Sequence, residues 1–167
     1  MRLLCALWLP PAAVSALVEA GGDAAAPRGW RVVAPTAWHL TLARHDDDPG
    51  GIARRLDRQA SGVPVPRLRL TGSGGSRWVR WADVDVAPQS SLVDLVTAAG
   101  GDRAAFRPHV TLLRRRRRAR PDDDPDPRVP WSGHRGPWWR PNEVLLVAVE
   151  PVRGSWRYRP LHRVGLG

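Results

Sequence analysis

Polar and apolar positions alternate with the same wording at two distant places in the chain. Residues 39–42 read His-Leu-Thr-Leu and residues 109–112 read His-Val-Thr-Leu. Alternation of period two predicts half-buried strands. Side chains at i and i+2 of a strand share a face. His39 and Thr41 therefore point one way, and Leu40 and Leu42 turn into a core. His109 and Thr111 repeat the arrangement over Val110 and Leu112.

The rest of the pattern supplies the frame. Residues 2–9 read as a strand, followed by a helix near 11–20 with proline in its first turn. A short strand is predicted at 30–33 and the first motif strand at 37–43. A helix follows over 52–60, with Ile52 and Leu56 on one face. Residues 65–70 alternate as a strand, Gly72–Gly75 read as a hairpin turn, and 77–81 return as a strand. Leu92, Leu95, Val96 and Ala99 follow helical spacing over 89–99, ended by Gly100-Gly101. The second motif strand covers 108–113. The unbroken apolar run 144–149 predicts a central strand, and 156–164 a last one. The order β-α-β-β-α-β-β-α-β-β-β is a mixed α+β pattern. Each motif strand comes soon after a strand–helix pair, so two related lobes are expected to face each other across a cleft, each supplying one histidine.

Composition narrows the class. A chain of 167 residues fits one domain, 1–167. No apolar run approaches the roughly 18 residues of a membrane span. The opening stretch around Leu3-Leu4-Cys5-Ala6-Leu7-Trp8-Leu9 has some character of a secretion signal, but Pro10-Pro11 cuts it short and a strand explains it better. Cys5 is the single cysteine, which suits a cytoplasmic protein. The formal charge is +10, and all 26 basic residues are arginine. With 17 Pro and 16 Gly, this looks like the codon bias of a GC-rich genome, so the charge argues less for nucleic-acid binding than its size suggests. It still creates a field that attracts phosphate-bearing ligands.

The motif pair carries chemistry. Five His and five Thr in the chain would give about 0.15 His-x-Thr matches by random placement, fewer still with the apolar positions required. Histidine, with an ordinary pKa of about 6.5, offers both protonation states near neutrality. Two histidines on opposite sides of a phosphate can serve as acid and base for an in-line displacement. Thr41 and Thr111 can donate hydroxyl hydrogen bonds to non-bridging oxygens. Such a site needs no metal and no cofactor.

These residues resemble the two-histidine phosphoesterases, and among them the bacterial RNA 2′,3′-cyclic phosphodiesterases, also called LigT-like or 2′-5′ RNA ligases. The similarity lies in Met1-Arg2-Leu3-Leu4-Cys5-Ala6-Leu7-Trp8-Leu9-Pro10, Trp38-His39-Leu40-Thr41-Leu42, Phe106-Arg107-Pro108-His109-Val110-Thr111-Leu112-Leu113-Arg114 and Arg153-Gly154-Ser155-Trp156-Arg157-Tyr158-Arg159-Pro160-Leu161. Two departures stand out. Ala43-Arg44-His45-Asp46 replaces the family's Phe-Leu-Gly-Glu type continuation, and Trp8 stands where an acidic residue is common. The resemblance implies a bilobed α+β fold, with two antiparallel sheets lining a central cleft and helices outside. It implies hydrolysis of RNA or a nucleotide bearing a 2′,3′-cyclic phosphate to a 2′-phosphate, with His39 as proton donor and His109 as proton acceptor. The same groups would serve 2′-5′ ligation. It also implies that Arg114 contacts the phosphate. Strand parity opposes this, since 109, 111 and 113 share a face, unless the strand bulges or ends there. A monomer without membrane attachment is expected. The alternative is a non-catalytic RNA-binding protein using the same cleft and its arginine-rich surface.

Other features have plainer readings. The Arg114–Arg118 run could grip an RNA backbone beside the cleft, but Arg116–Arg118 read rather as a solvated loop neutralised by Asp122, Asp123, Asp124 and Asp126. Trp38 reads as core; Trp30, Trp138 and Trp139 are candidate stacking platforms. His45 with Asp46–Asp48 reads as a loop or helix N-terminus rather than a metal cluster. His134 and His162 read as structural.

Overall fold

Leu3, Cys5 and Leu7 are at most 1% exposed and Leu4 5%, so the first strand is covered on both faces and must lie inside a sheet. The computed structural model, which describes residues 1–118 and 120–167, places it there. The elements are β1 (Arg2–Trp8), α1 (Pro11–Glu19), β2 (Trp30–Val32), β3 (His39–His45), α2 (Pro49–Gln59), β4 (Arg67–Gly75), β5 (Val79–Ala87), α3 (Gln89–Ala98), β6 (His109–Arg115), β7 (Glu143–Val152) and β8 (Ser155–Gly165). This is the predicted order. The charged loop read after Arg114 includes position 119, which lies outside the described residues.

All eight strands join one antiparallel sheet in the order β4-β5-β6-β3-β1-β7-β8, with β2 also pairing β6. Where two sheets were expected, the strands form two halves, β8-β7-β1-β3 and β2/β6-β5-β4, joined by the single residue pair Leu40↔Val110. Ala13 and Leu17 of α1, Ile52 and Leu56 of α2, and Leu92, Leu95 and Val96 of α3 pack with Leu3, Leu7, Leu40 and Val110 in the main core. The helices therefore cover one face of the sheet. The other face holds a smaller cluster, Leu4, Leu145, Val147 and Val149 packed with Trp8, Trp156 and Tyr158. No helix among the described residues is long and apolar enough to cross a membrane.

Two sequence expectations change. Gly72–Gly75 is not the turn: β4 continues to Gly75, and the reversal falls at Ser76–Trp78. Between Thr71 and Gly74 the register slips by one residue, with Gly72 at φ +65°, so this glycine-rich stretch is a bulge inside the hairpin. β5 then runs to Ala87, well past the expected end at residue 81. The acidic stretch before α2 works as a helix start: Asp48 accepts a hydrogen bond from the Gly51 amide at 2.8 Å.

Candidate functional site

His39 and His109 each open their strand, one residue before the pair that joins the two half-sheets. Counting antiparallel register outward from Leu40↔Val110 puts His39 across from Thr111 and Thr41 across from His109. The four side chains meet on the sheet face away from the helices. They line one small recess together with Arg44, Arg114 and Tyr158. All four predicted motif residues are thus brought together.

The same local device holds both rings. His39 Nδ1 lies 2.6 Å from the Ala37 carbonyl, and His109 Nδ1 lies 2.8 Å from the Arg107 carbonyl. A carbonyl only accepts, so each Nδ1 carries the proton and each Nε2 is left to face a ligand. Aromatic shelves complete the support. Trp8 stacks on His39 at 4.6 Å and 23°, and Tyr158 meets it edge-on at 5.1 Å. Trp81 lies 4.9 Å from His109 and donates from Nε1 to Asp83 at 2.8 Å. A Cβ on Gly74 would come within 2.4 Å of that indole nitrogen, so the bulged glycine stretch makes the space for the shelf under His109. Arg107 also reaches Asp83, at 3.5 Å.

Burial disfavours the charged imidazolium. It pushes His39 down to about 4, with the Ala37 carbonyl opposing and the guanidinium charges of Arg114 and Arg44 adding to the fall. His109 is also lowered, first by burial, with the Arg107 carbonyl opposing and the charges of Arg44 and Arg107 assisting; Asp83 pulls the other way. Burial thus favours the neutral imidazole at both positions.

Arg114 corrects the parity expectation. Thr111 pairs with Trp81 but Leu113 pairs with Arg80, a slip of one residue. Leu112 and Leu113 are consequently both buried, and Arg114 swings onto the histidine face. The first motif does the same: Thr41 pairs with Ala6 but Ala43 with Cys5, Leu42 and Ala43 are both buried, and Arg44 reaches the recess. Sequence reading missed Arg44, Tyr158, and the roles of Trp8 and Trp81. The signal for Arg44 was present as the repeated His-x-Thr-Leu-x-Arg at 39–44 and 109–114.

The recess opens into a cleft of about 580 Å³ walled by Arg2, Arg31, Arg44, Arg114, Arg115 and Arg117 and by Trp78, Trp156 and Tyr158. A second hollow of about 440 Å³ lies beside it between Trp8, Thr36, Arg114, Trp156 and Tyr158. The expected neutralisation of Arg116–Arg118 by the acidic run does not occur among the described residues. Asp122 pairs with Arg28, Asp126 pairs with Arg80, Asp123 accepts from the Arg120 amide and Asp124 from that of Asp126. Trp38 is core, as read. Trp30 is core as well: it is 2% exposed and donates to the Asp124 carbonyl, which removes it as a stacking platform. Trp139 packs against the core, while Trp138 is exposed under Arg67 and Arg69 on β4. His162 pairs with Asp57 at 2.8 Å, and His45 bonds the Ala99 carbonyl.

No protein-family model matches the chain. An RNA 2′,3′-cyclic phosphodiesterase from Thermus thermophilus is 31% identical over 156 residues, covering 78% of this chain and 73% of the relative. Among solved structures, TT0787 of Thermus thermophilus superposes with a TM-score of 0.72 at 28% identity, over 99% of this chain and 97% of that one. E. coli LigT complexed with NADP+ gives 0.73 at 26%, over 99% and 97%. E. coli LigT complexed with phosphate gives 0.68 at 28%, over 99% and 96%. The full-length superpositions and the sequence relative agree that this chain belongs to the LigT-like RNA 2′,3′-cyclic phosphodiesterase family of phosphoesterases.

Proposed function

We propose that the protein hydrolyses 2′,3′-cyclic phosphodiesters at RNA ends to 2′-phosphates through His39 and His109, without a metal or other cofactor. The observation that carries this reading is the recess in which both imidazoles, both threonines and Arg114 meet. Water attacks phosphorus in line with the 3′ oxygen. His109 Nε2 takes the water proton as the new P–O bond forms. The P–O3′ bond breaks, and His39, arriving as imidazolium, donates its Nε2 proton to the departing oxygen. The two rings end with their protonation states exchanged, and solvent resets them. Thr41, Thr111 and Arg114 hold the non-bridging oxygens, where charge grows.

The relative's activity and the phosphate-bound state of E. coli LigT support this reading. The bound phosphate anion supplies what His39 lacks in the free protein, since a nearby negative charge favours the imidazolium. A 5′-hydroxyl in place of water would give 2′-5′ ligation with the same groups. Two pseudo-symmetric lobes, one per motif, would act together in a cytoplasmic monomer.

The test is turnover of 2′,3′-cyclic nucleotides and cyclic-ended RNA in excess EDTA, with the product position determined. Activity should persist, and His39→Ala and His109→Ala should each lower it by roughly 10²–10⁴-fold with the fold intact by circular dichroism. Full activity in both variants, loss in EDTA restored by a divalent ion, or RNA binding without turnover would overturn the reading.

A further inference from the structure

We propose that Arg44 is a second catalytic guanidinium, contacting the reacting phosphate from the side opposite Arg114. This rests on the phosphodiesterase reading above and adds a residue to it.

Each motif strand carries a bulge at its fourth residue, Leu42 in one and Leu112 in the other. Each bulge turns the sixth residue, Arg44 or Arg114, onto the histidine face. Because β3 and β6 run antiparallel about Leu40↔Val110, the two arginines approach from opposite ends. Of the arginines walling the wider cleft, these two alone also line the recess. The electrostatics agree with that placement. Arg44 is the foremost charge lowering His109, and it acts on His39 as well. It forms no ion pair among the described residues, whereas Arg107 beside His109 is engaged with Asp83.

The chemistry has room for two cations. A cyclic phosphodiester carries one negative charge over two non-bridging oxygens. In-line attack adds a second charge to those oxygens in the transition state, and the 2′-phosphate product carries it again once its new hydroxyl ionises. A guanidinium on each side meets charge that grows during the reaction, which lowers the barrier more than it strengthens ground-state binding. An upstream phosphodiester is the competing target for Arg44. A 2′,3′-cyclic mononucleotide without a 5′-phosphate separates the two, because its only anion is the reacting one.

The experiment compares wild type, Arg44→Ala and Arg44→Lys on such a mononucleotide and on a cyclic-ended oligoribonucleotide. Arg44→Ala should lower kcat on the mononucleotide by roughly 10–100-fold with KM little changed, and Arg44→Lys should recover part of the loss. The pH profile of Arg44→Ala should also move to higher pH, because a charge opposing both imidazoliums is gone. Unchanged turnover of the mononucleotide, or an effect confined to KM for the oligonucleotide, would overturn the proposal. If the wild type turns over neither substrate, the proposed function has failed, and binding of inorganic phosphate decides for Arg44. Weaker binding by Arg44→Ala, partly restored in Arg44→Lys, keeps it at the anion; equal binding removes it.

Discussion

A single imidazole in this site is held by three things: a carbonyl two residues back, an aromatic shelf, and the burial that both impose. The consequence is a pair of rings that resist protonation. Catalysis by one acid and one base needs one imidazolium and one imidazole at once. Raising pH strips the acid, and lowering pH protonates the base. The singly protonated pair is therefore most populated between the two apparent values, which belong to the pair rather than to either ring. His39 sits at about 4 and His109 below its ordinary value. We expect kcat/KM to peak on the acid side of 6.5, and kcat, which reports the anion-bound state, to peak at higher pH. A pH–rate profile with its kcat/KM maximum above 7 would contradict the burial of the rings. The histidines and threonines were legible in the sequence because alternation orders them locally. Trp8 was not, because it depends on a neighbour brought alongside by β1; Arg44 was legible only through the repeated His-x-Thr-Leu-x-Arg, since strand parity alone turns it away until the register slips.

The order of the elements was readable throughout, although β4 and β5 run well past their expected ends. The failures at Arg44, Gly72–Gly75 and Arg114 share a cause, since strand parity assumes an unbroken ladder and this sheet breaks it with bulges in β3, β4 and β6. Leu42-Ala43 and Leu112-Leu113 are apolar doublets in otherwise alternating strands, and each doublet is where the register slips. Such a doublet in a half-exposed strand is the trace a bulge leaves in a sequence. Helix ends obey more local rules. Asp48 caps α2 with its side chain while holding φ at +62°, a conformation asparagine tolerates and alanine does not favour. Asp48→Ala should lower unfolding free energy by about 1–2 kcal/mol in urea titration, Asp48→Asn by much less, and kcat should be unchanged in both. Equal stability of the two variants would refute the cap.

At the scale of the molecule, charge is distributed unevenly in effect. The acids of the 122–126 loop are taken up by Arg28, by Arg80 and by backbone amides, and Asp85 holds Arg69. Arg2, Arg31, Arg115 and Arg117 of the cleft wall form no ion pair among the described residues. An RNA strand leaving the recess would release its condensed cations where its phosphates meet these guanidiniums. The logarithm of kcat/KM for a cyclic-ended oligoribonucleotide should fall with the logarithm of salt, by about 0.7 per phosphate engaged, and more steeply than for a cyclic mononucleotide. Parallel slopes for the two substrates would mean that this wall does not carry the strand.

The pair Leu40↔Val110 gives the two half-sheets one shared stitch, and each histidine stands a single residue from it. In a pair of tongs the travel is smallest beside the rivet and largest at the tips. By the same geometry, any spreading of the outer strands around a bulky polymer would move the cleft rim far more than it moves the two imidazoles, so the spacing that the proposed reaction needs would be insulated from the size of what enters.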